Sequence, residues 1–421
     1  MLKFIHSADI HLDSPLYGLE RYPGAPVDTI RGATRQAMEN LVSLAIEESV
    51  AFILIAGDLY DGDLKDYNTA LFLSKELARM KDAGIRVFII SGNHDASSRM
   101  TKSIGMPDNV KWFSSKRPET VILGEIGVAI HGQGFHQRAV LDDLSSGYPE
   151  GIRDLFNIGI LHTSASGSEG HEPYAPCKIE TLLSKNYGYW ALGHIHKRAV
   201  LHKDPWIVFS GNTQGRNIRE TGPKGCTLVT VEDNRSVSVD HKDLHVLQWA
   251  ECRIDVAGAD TPEQIIDISR SHIEKVVEQM DDQLFAVRMI FEGACRAHDD
   301  LIKDPVKWVN EIRASVTDMS RESVWVEKIK MQTQARVDIA KVLSRNDPFS
   351  DLLRYISGVE KIDELPQSFI DDLMQLKSKL PRELLSGEEA ISLDSPEFIR
   401  DIIKDAKQLL ISRLLSRGDG R

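Results

Sequence analysis

No apolar run in this chain approaches the roughly 20 residues that a membrane-spanning helix needs, so nothing in the sequence asks for a bilayer. No export signal is expected either: the N-terminus, MLKFIHSADIHLD, acquires Asp and His where such a signal stays apolar. Cysteine is scarce. Cys177, Cys226, Cys252 and Cys295 lie far apart and form no C-x-x-C pair, which predicts reduced thiols in a cytoplasmic protein. Basic charge is in deficit as well. The formal net charge of −12 weighs against general attraction to nucleic acid, although clustered metal-binding carboxylates or an acidic accessory region can mask a local basic face. Internal repeats and low-complexity tracts are absent. What remains is ordinary soluble composition, 42% hydrophobic and 27% charged over 421 residues, enough for two or three domains.

The first half alternates apolar runs with helical patterns. Leu2 to Ala8 reads as a strand, and Met38, Leu41, Val42 and Ala45 follow the i, i+3, i+4, i+7 spacing of a core-facing helix. Ala51 to Ala56 is apolar on both faces, as a central parallel strand requires. A helix over about 66–83 ends at Gly84, and Ile85 to Ile90 is the next strand. This βαβαβ order predicts an α/β layered domain. From about residue 119 the strands come closer together: 120–123, 128–131, 156–161, 189–192, 206–209, 227–231 and 237–240. Together they predict a second sheet packed against the first. Strand, helix, strand, helix and strand between 250 and 329 predict a small α+β unit. Beyond 333 the pattern is helical, charged with both signs and broken at Pro348, Pro366, Pro381 and Pro396. The expected boundaries are 1–245, 246–332 and 333–421.

Five short blocks follow apolar strand-like runs: Asp9-Ile-His11, Gly57-Asp58-Leu-Tyr-Asp61, Gly92-Asn93-His94-Asp95, Leu161-His162-Thr163 and Gly193-His194-Ile-His196. Each therefore sits at the C-terminal end of a strand, where open α/β sheets bind their ligands. The blocks hold five His, four Asp and one Asn. Imidazole, carboxylate and amide donors suit divalent ions such as Mn²⁺, Fe²⁺ or Zn²⁺. No cysteine falls in any block, which argues against a structural zinc site. There are more donors than one ion needs, and a two-metal centre binds a phosphoryl group and activates water for in-line attack. Singly, each block has a plainer reading as a helix cap, a turn, a core histidine or a coincidence of strand period. Their joint order is what carries the inference.

The blocks D-x-H, G-D-x-x-D, G-N-H-D, H and G-H-x-H, in this order, resemble the calcineurin-like metallophosphoesterases. HSADIHL, AGDLYD, ISGNHD and ALGHIH look like the SbcD-type DNA repair exonucleases, and HLDSPL, HTSASGSEGHEPYAPC and FSGNTQGRNIRETGPKG resemble their YhaO-like bacterial subgroup. The resemblance covers about residues 1–245 well and the remainder in layout only. It implies a two-sheet β-sandwich flanked by helices, a small α+β cap domain and a helical C-terminal tail. It also implies that Asp9, His11 and His196 hold one metal, that Asn93, His162 and His194 hold the other, and that Asp58 bridges them. His94 would then face the scissile phosphate and donate a proton, with Asp95 orienting its ring. Some relatives carry His where this chain has Asp61, which puts the phosphate-contacting role of that position in doubt.

The implied activity is a Mn²⁺-dependent, 3′-to-5′ DNA exonuclease with some endonuclease activity. The implied partners are DNA, a second copy of the chain and an SMC-like, AAA-type ATPase. Arg216, Arg219 and Lys224, in a Gly-rich loop after GHIH, together with Lys197 and Arg198, are candidates for phosphate-backbone contact. His171, Glu172 and Tyr174 are candidates for the mouth of the site. Two amphipathic stretches of the tail, one through Phe369, Leu373, Leu376 and Leu380 and one from Phe398 to Leu410, would dock on the ATPase or pack locally. A small-molecule phosphodiesterase or nucleotidase would share every metal residue, and a non-catalytic DNA-positioning subunit is the third reading.

Overall fold

The computed structural model describes residues 1–14, 24–61, 67–97, 106–165, 175–233, 235–278, 283–320, 323–336 and 367–380, with isolated positions between 348 and 406. The chain divides into two compact units. One consists of Met1–Cys252, Val276–Arg288 and Ser320–Lys328, and the other of Arg253–Lys275, Met289–Met319 and Ile329–Arg421.

Parallel strands β1 (Leu2–Ser7), β2 (Phe52–Ala56), β3 (Arg86–Ile90) and β4 (Val110–Trp112) start the first sheet. Helices α1 (Val27–Glu47) and α2 (Tyr67–Asp82) follow β1 and β2. A second sheet, ordered β5-β6-β7-β8-β10-β9, is built from β5 (Glu119–Leu123), β6 (Val128–Gly132), β7 (Phe156–His162), β8 (Tyr189–Gly193), β9 (Ala199–Lys203) and β10 (Trp206–Phe209). Helix α3 (Ile179–Leu183) leads into β8. The chain then returns to the first sheet. β11 (Gly225–Val231) pairs antiparallel with β1 and carries β12 (Val237–Asp243) outside it, giving the order β12-β11-β1-β2-β3-β4. These two strands were expected in the second sheet. Their real position covers the open hydrogen-bonding edge of β1, which would otherwise invite strand pairing with another chain.

Strand alternation divides the core into two layers. Ile5, Ile53, Ile55, Val87 and Ile89 turn to one face, where they pack with Met38, Leu41, Val42 and Ala45 of α1 and Leu73, Leu77 and Met80 of α2. Phe4, Leu54, Ala56, Phe88 and Ile90 turn to the other and meet Ile130, Ile158, Ile160 and Ala191 of the second sheet. Burying one such side chain is worth roughly 2 kcal/mol, so packing between layers fixes the frame more firmly than helix propensity does. Register then sets the height of the loops: Ala56 pairs with Ile90, and His162 with Gly193. The loops after β2 and β3 leave one sheet at a common level, and those after β7 and β8 leave the other likewise.

A three-stranded sheet, β13-β14-β15, follows from β13 (Leu247–Asp255), β14 (Leu284–Cys295) and β15 (Val324–Ala335). Helices α4 (Pro262–Val277), α5 (His298–Lys303) and α6 (Pro305–Ser320) lie between its strands in sequence. In the tail, α7 (Gln367–Lys379) carries exposed Met374 and Leu376. Leu409 and Leu410 of the second amphipathic stretch lie outside the described residues. No helix among the described residues is long and apolar enough to cross a membrane.

One polar connection crosses the interior of the sandwich. His6 is fully buried, and its Nε2–H donates to the Leu192 carbonyl at 3.2 Å while the Tyr189 hydroxyl donates to Nδ1 at 2.9 Å. A carbonyl only accepts, so the tautomer is fixed. Burial drives this imidazole down to about 3 from 6.5, and it stays neutral in the folded protein. A lowered folded value means that the stability it contributes is complete above 6.5 and is lost as pH falls through that window toward 3. Lowering the pH from 7 to 5 should therefore cost about 2 kcal/mol through this residue. Thermal melts of the protein and of His6→Gln in EDTA check this. The variant should lose less stability over that interval, and parallel losses would refute the assignment.

A candidate metal centre at the strand ends

The loops that leave β1, β2 and β8 hold their residues in uncommon backbone conformations. Asp9, His11, Asp58 and His194 have φ of 51°, 47°, 52° and 99°. Left-handed backbone costs a side-chain-bearing residue on the order of 1 kcal/mol or more and persists only where neighbours enforce it. Here the two loops of the first sheet brace one another. Asp9 N–H donates to Gly57 O at 3.1 Å, His11 N–H to Asp58 O at 3.0 Å, and Leu12 N–H to Leu59 O at 2.9 Å. Gly57 itself has φ of 93°. Gly193 is required by close approach: a Cβ there would run into the Ala56 carbonyl oxygen, so the glycine lets β8 pass close to the end of β2.

The loops after β1, β2, β3 and β8, with the last residue of β7, bring eight predicted residues together: Asp9, His11, Asp58, Asn93, His94, His162, His194 and His196. Donor atoms of Asp9, His11 and His196 lie within 4.8 Å of one another, as do those of Asp9, Asp58 and His162, and those of His11, Asp58 and His94. The Nε2 atoms of His11 and His196 face each other at 3.2 Å. The His194 ring lies against that of His162 with centroids 5.2 Å apart, and its backbone N–H donates to both Asp9 oxygens at 3.0 and 3.1 Å.

His162 shows what this cavity is built to hold. Its Nδ1–H donates to the Ala56 carbonyl at 2.9 Å. That leaves Nε2 facing Asn93 Oδ1 at 2.9 Å and Asp58 Oδ2 at 3.5 Å. Burial opposes charge on this ring, yet the Asp58 charge and hydrogen bond, with Asp9 beyond, push it up to about 9. An environment that charges a fully buried imidazole is one that favours a cation. Asp58 is the counterpart: burial works against its ionised form, but His162, His11 and His94 hold it well below the usual carboxylate range. Imidazole, carboxylate and amide oxygen are a donor set that divalent transition ions accept. The residues present fit such ions.

His94 stands apart from this inner group. Its side chain is 28% exposed, and its backbone N–H donates to Asp58 Oδ1 at 2.9 Å. The carboxylate on its ring is not the expected one. Asp61 Oδ1 lies 2.8 Å from His94 Nδ1, whereas Asp95 accepts the backbone N–H groups of Leu59, Tyr60 and Gly92 at 3.2, 2.9 and 3.0 Å. Asp95 clips the loops after β2 and β3 together, and burial raises it to about 6. Asp61 takes the orienting position instead and also accepts from Ser14 Oγ at 2.5 Å. Burial opposes the ionised form of Asp61, but the His94 bond and nearby His11 hold it well below the usual range. Burial likewise opposes charge on His94, while the Asp61 hydrogen bond and the Asp58 charge outweigh it and raise its pKa.

The loop between β10 and β11 supplies a residue that the sequence reading overlooked. Glu220 Oε1 lies 2.7 Å from His196 Nδ1. Arg216, expected on the DNA backbone, turns inward to Glu220 at 3.1 Å and to Asp61 at 3.4 Å. Lys224 is buried, and its Nζ donates to the His196 carbonyl at 3.1 Å. Arg219 and Lys197 are exposed. His171, Glu172 and Tyr174 lie outside the described residues. The only early signal for Glu220 was a carboxylate four residues after an arginine in a Gly-rich loop.

Residues 2–198 match the profile of the calcineurin-like phosphoesterases, and residues 249–334 match that of the middle domain of metallophosphoesterase YhaO. An uncharacterized metallophosphoesterase YhaO of Bacillus subtilis is 33% identical over 377 residues, which cover 86% of this chain and 90% of that one. The chain belongs to the calcineurin-like metallophosphoesterase family. Other similar proteins are DNA double-strand break repair proteins Mre11. That of Sulfurisphaera tokodaii is 29% identical over 210 residues, 48% of this chain and 51% of its own. That of Saccharolobus solfataricus is 23% identical over 384 residues, 86% of this chain and 92% of its own. Metallophosphoesterases are metal-dependent hydrolases, and the donor clusters described above are this metallophosphoesterase's candidates for holding divalent ions.

Proposed function

We propose that this metallophosphoesterase is a Mn²⁺-dependent DNA exonuclease, working 3′-to-5′ on duplex ends with some endonuclease activity, in the cytoplasm and in the service of DNA repair. The observation that carries the reading is the similarity to Mre11 repair proteins along most of the chain, 86% of it in one case. The site chemistry supports it. Asp9, His11 and His196 would hold one ion and Asn93, His162 and His194 the other, with Asp58 shared. When bound, such a pair of ions would supply charge stabilisation for a phosphoryl group and a more acidic water. The protein's own contribution beyond this is proton supply. Asp61 holds His94 Nδ1–H, so the Nε2 edge of the ring would serve the leaving oxygen of the cleaved strand. A residue blocked by a metal could not do this, and the partial exposure of His94 suits contact with substrate.

Exposed Lys197 and Arg219 would meet phosphates without reading bases. Residues 246–332 would cap the site, and the tail, 333–421, would dock on an SMC-like ATPase within a homodimeric assembly.

Asp61 also gives the reading a pH signature. Its hydrogen bond raises His94, so removing it lowers the pH at which the proton donor is lost. The alkaline limb of kcat against pH should move to lower pH in Asp61→Asn, and an unmoved limb would separate the two residues. The function itself is tested on end-labelled linear duplex DNA with Mn²⁺, Mg²⁺ or EDTA. Mn²⁺-dependent loss of nucleotides from the 3′ end is expected. Hydrolysis of bis(p-nitrophenyl) phosphate without any DNA cleavage would favour a small-molecule phosphodiesterase instead.

A further inference from the structure

We propose that Glu220 and Arg216 are positioning residues that tie the metal-holding His196 to the proton donor His94. The inference rests on the roles given to those two histidines above. A continuous chain of polar contacts joins them. His196 Nδ1 meets Glu220 Oε1 at 2.7 Å, the same oxygen accepts from Arg216 Nη2 at 3.1 Å, Arg216 Nη1 reaches Asp61 Oδ2 at 3.4 Å, and Asp61 Oδ1 meets His94 Nδ1 at 2.8 Å.

Hydrogen-bond polarity gives this chain its direction. A carboxylate only accepts, so the 2.7 Å contact with Glu220 requires the proton on His196 Nδ1. Arg216 Nη2 also lies 3.3 Å from that nitrogen, but two donors cannot bond to each other, and the guanidinium therefore serves Glu220. With Nδ1 protonated, His196 turns a bare lone pair on Nε2 toward the His11 nitrogen, the arrangement a shared cation needs. Partners of this kind fix the tautomer of a ligating histidine and raise its basicity.

Arg216 is suited to its place by shape. Its forked guanidinium serves two carboxylates on different loops at once, which a single ammonium does less well. The loop itself is anchored independently of any ion. Asn212 Nδ2 and the Arg216 backbone N–H both donate to Glu220 Oε2 at 2.8 Å. Gln214 Nε2 donates to Leu247 O at 2.6 Å, and Trp249 Nε1 to Gly215 O at 3.0 Å. The carboxylate is thus held in place before His196 or a metal uses it.

Calorimetric Mn²⁺ titration of the full chain, of Glu220→Gln and of Arg216→Lys tests this. Glu220→Gln should weaken one ion by roughly 10- to 100-fold and leave the other unchanged. The metal-free protein should show the Nδ1–H tautomer of His196 in long-range ¹H–¹⁵N spectra, and the variant should lose that preference. Arg216→Lys should lower kcat at saturating Mn²⁺ with KM unchanged. A KM increase at constant kcat would make Arg216 a substrate contact and overturn its part. If Glu220→Gln does not stay folded in EDTA, Glu220→Asp keeps the charge at a shorter reach, and the same single-site weakening is expected. Wild-type protein that binds no Mn²⁺ would sink the proposed function. Wild-type protein that binds its ions, with Glu220 variants of equal affinity and tautomer, would sink this inference alone.

Discussion

Asp58→Asn is expected to abolish productive metal binding, with a loss of Mn²⁺ affinity of 100-fold or more, above the roughly 10- to 100-fold seen for outer partners of metal ligands. The reason lies in what surrounds this carboxylate. It stands 3.5 Å from His162, 3.9 Å from His11 and 2.9 Å from the His94 backbone N–H, buried among groups that can serve one anion. Asparagine keeps the shape but offers one oxygen in place of two and removes the charge that makes the cavity favourable to cations. Without that charge His162 loses the main influence holding it protonated, so the empty site should also change. Its titration should fall from about 9 toward the ordinary value. Calorimetric Mn²⁺ titration and an NMR titration of His162 in EDTA measure the two effects separately. A variant that binds Mn²⁺ as wild type does would remove Asp58 from the centre of the account.

His94→Ala should behave in the opposite way. Metal stoichiometry and affinity should be retained, while DNA cleavage falls by about 10²- to 10⁴-fold, the range for loss of a general acid. The size of the loss should depend on the leaving group. A departing DNA alkoxide needs a proton, whereas p-nitrophenolate is stable without one, so hydrolysis of bis(p-nitrophenyl) phosphate should suffer much less. The contrast matters because donor atoms of His94, His11 and Asp58 lie within 4.8 Å of one another, a spacing that would also let His94 bind an ion. Equal losses on both substrates together with weakened Mn²⁺ binding would make His94 a ligand and leave the proton donor unassigned.

What the sequence revealed, and what it did not, follows from the range of the forces involved. The five blocks were legible because each follows a strand whose buried, apolar character is a local pattern, and parallel sheets carry loops at predictable ends. β4 and β9 were not legible. Both are only partly buried; Val110–Trp112 is three residues long, and the apolar start of Ala199–Lys203 gives way to His and Lys. β11 and β12 were read as strands but given to the wrong sheet, because alternation records which faces are covered and not which edge is paired. The carboxylate on His94 was misjudged for a related reason. Asp95 is its neighbour in sequence, yet the bend after Gly92 turns Asp95 back onto backbone N–H groups, and Asp61 arrives from another strand end. Glu220 is more distant still, 24 residues beyond His196, and its contact exists only once the chain has returned to the first sheet.

The most direct test of the account is an anomalous-difference map from crystals of the full chain grown with Mn²⁺ and collected at the manganese edge. The account predicts two peaks, one against Asp9, His11 and His196 and the other against Asn93, His162 and His194, with Asp58 touching both and His94 touching neither. A single peak, or an ion ligated by His94, would contradict it.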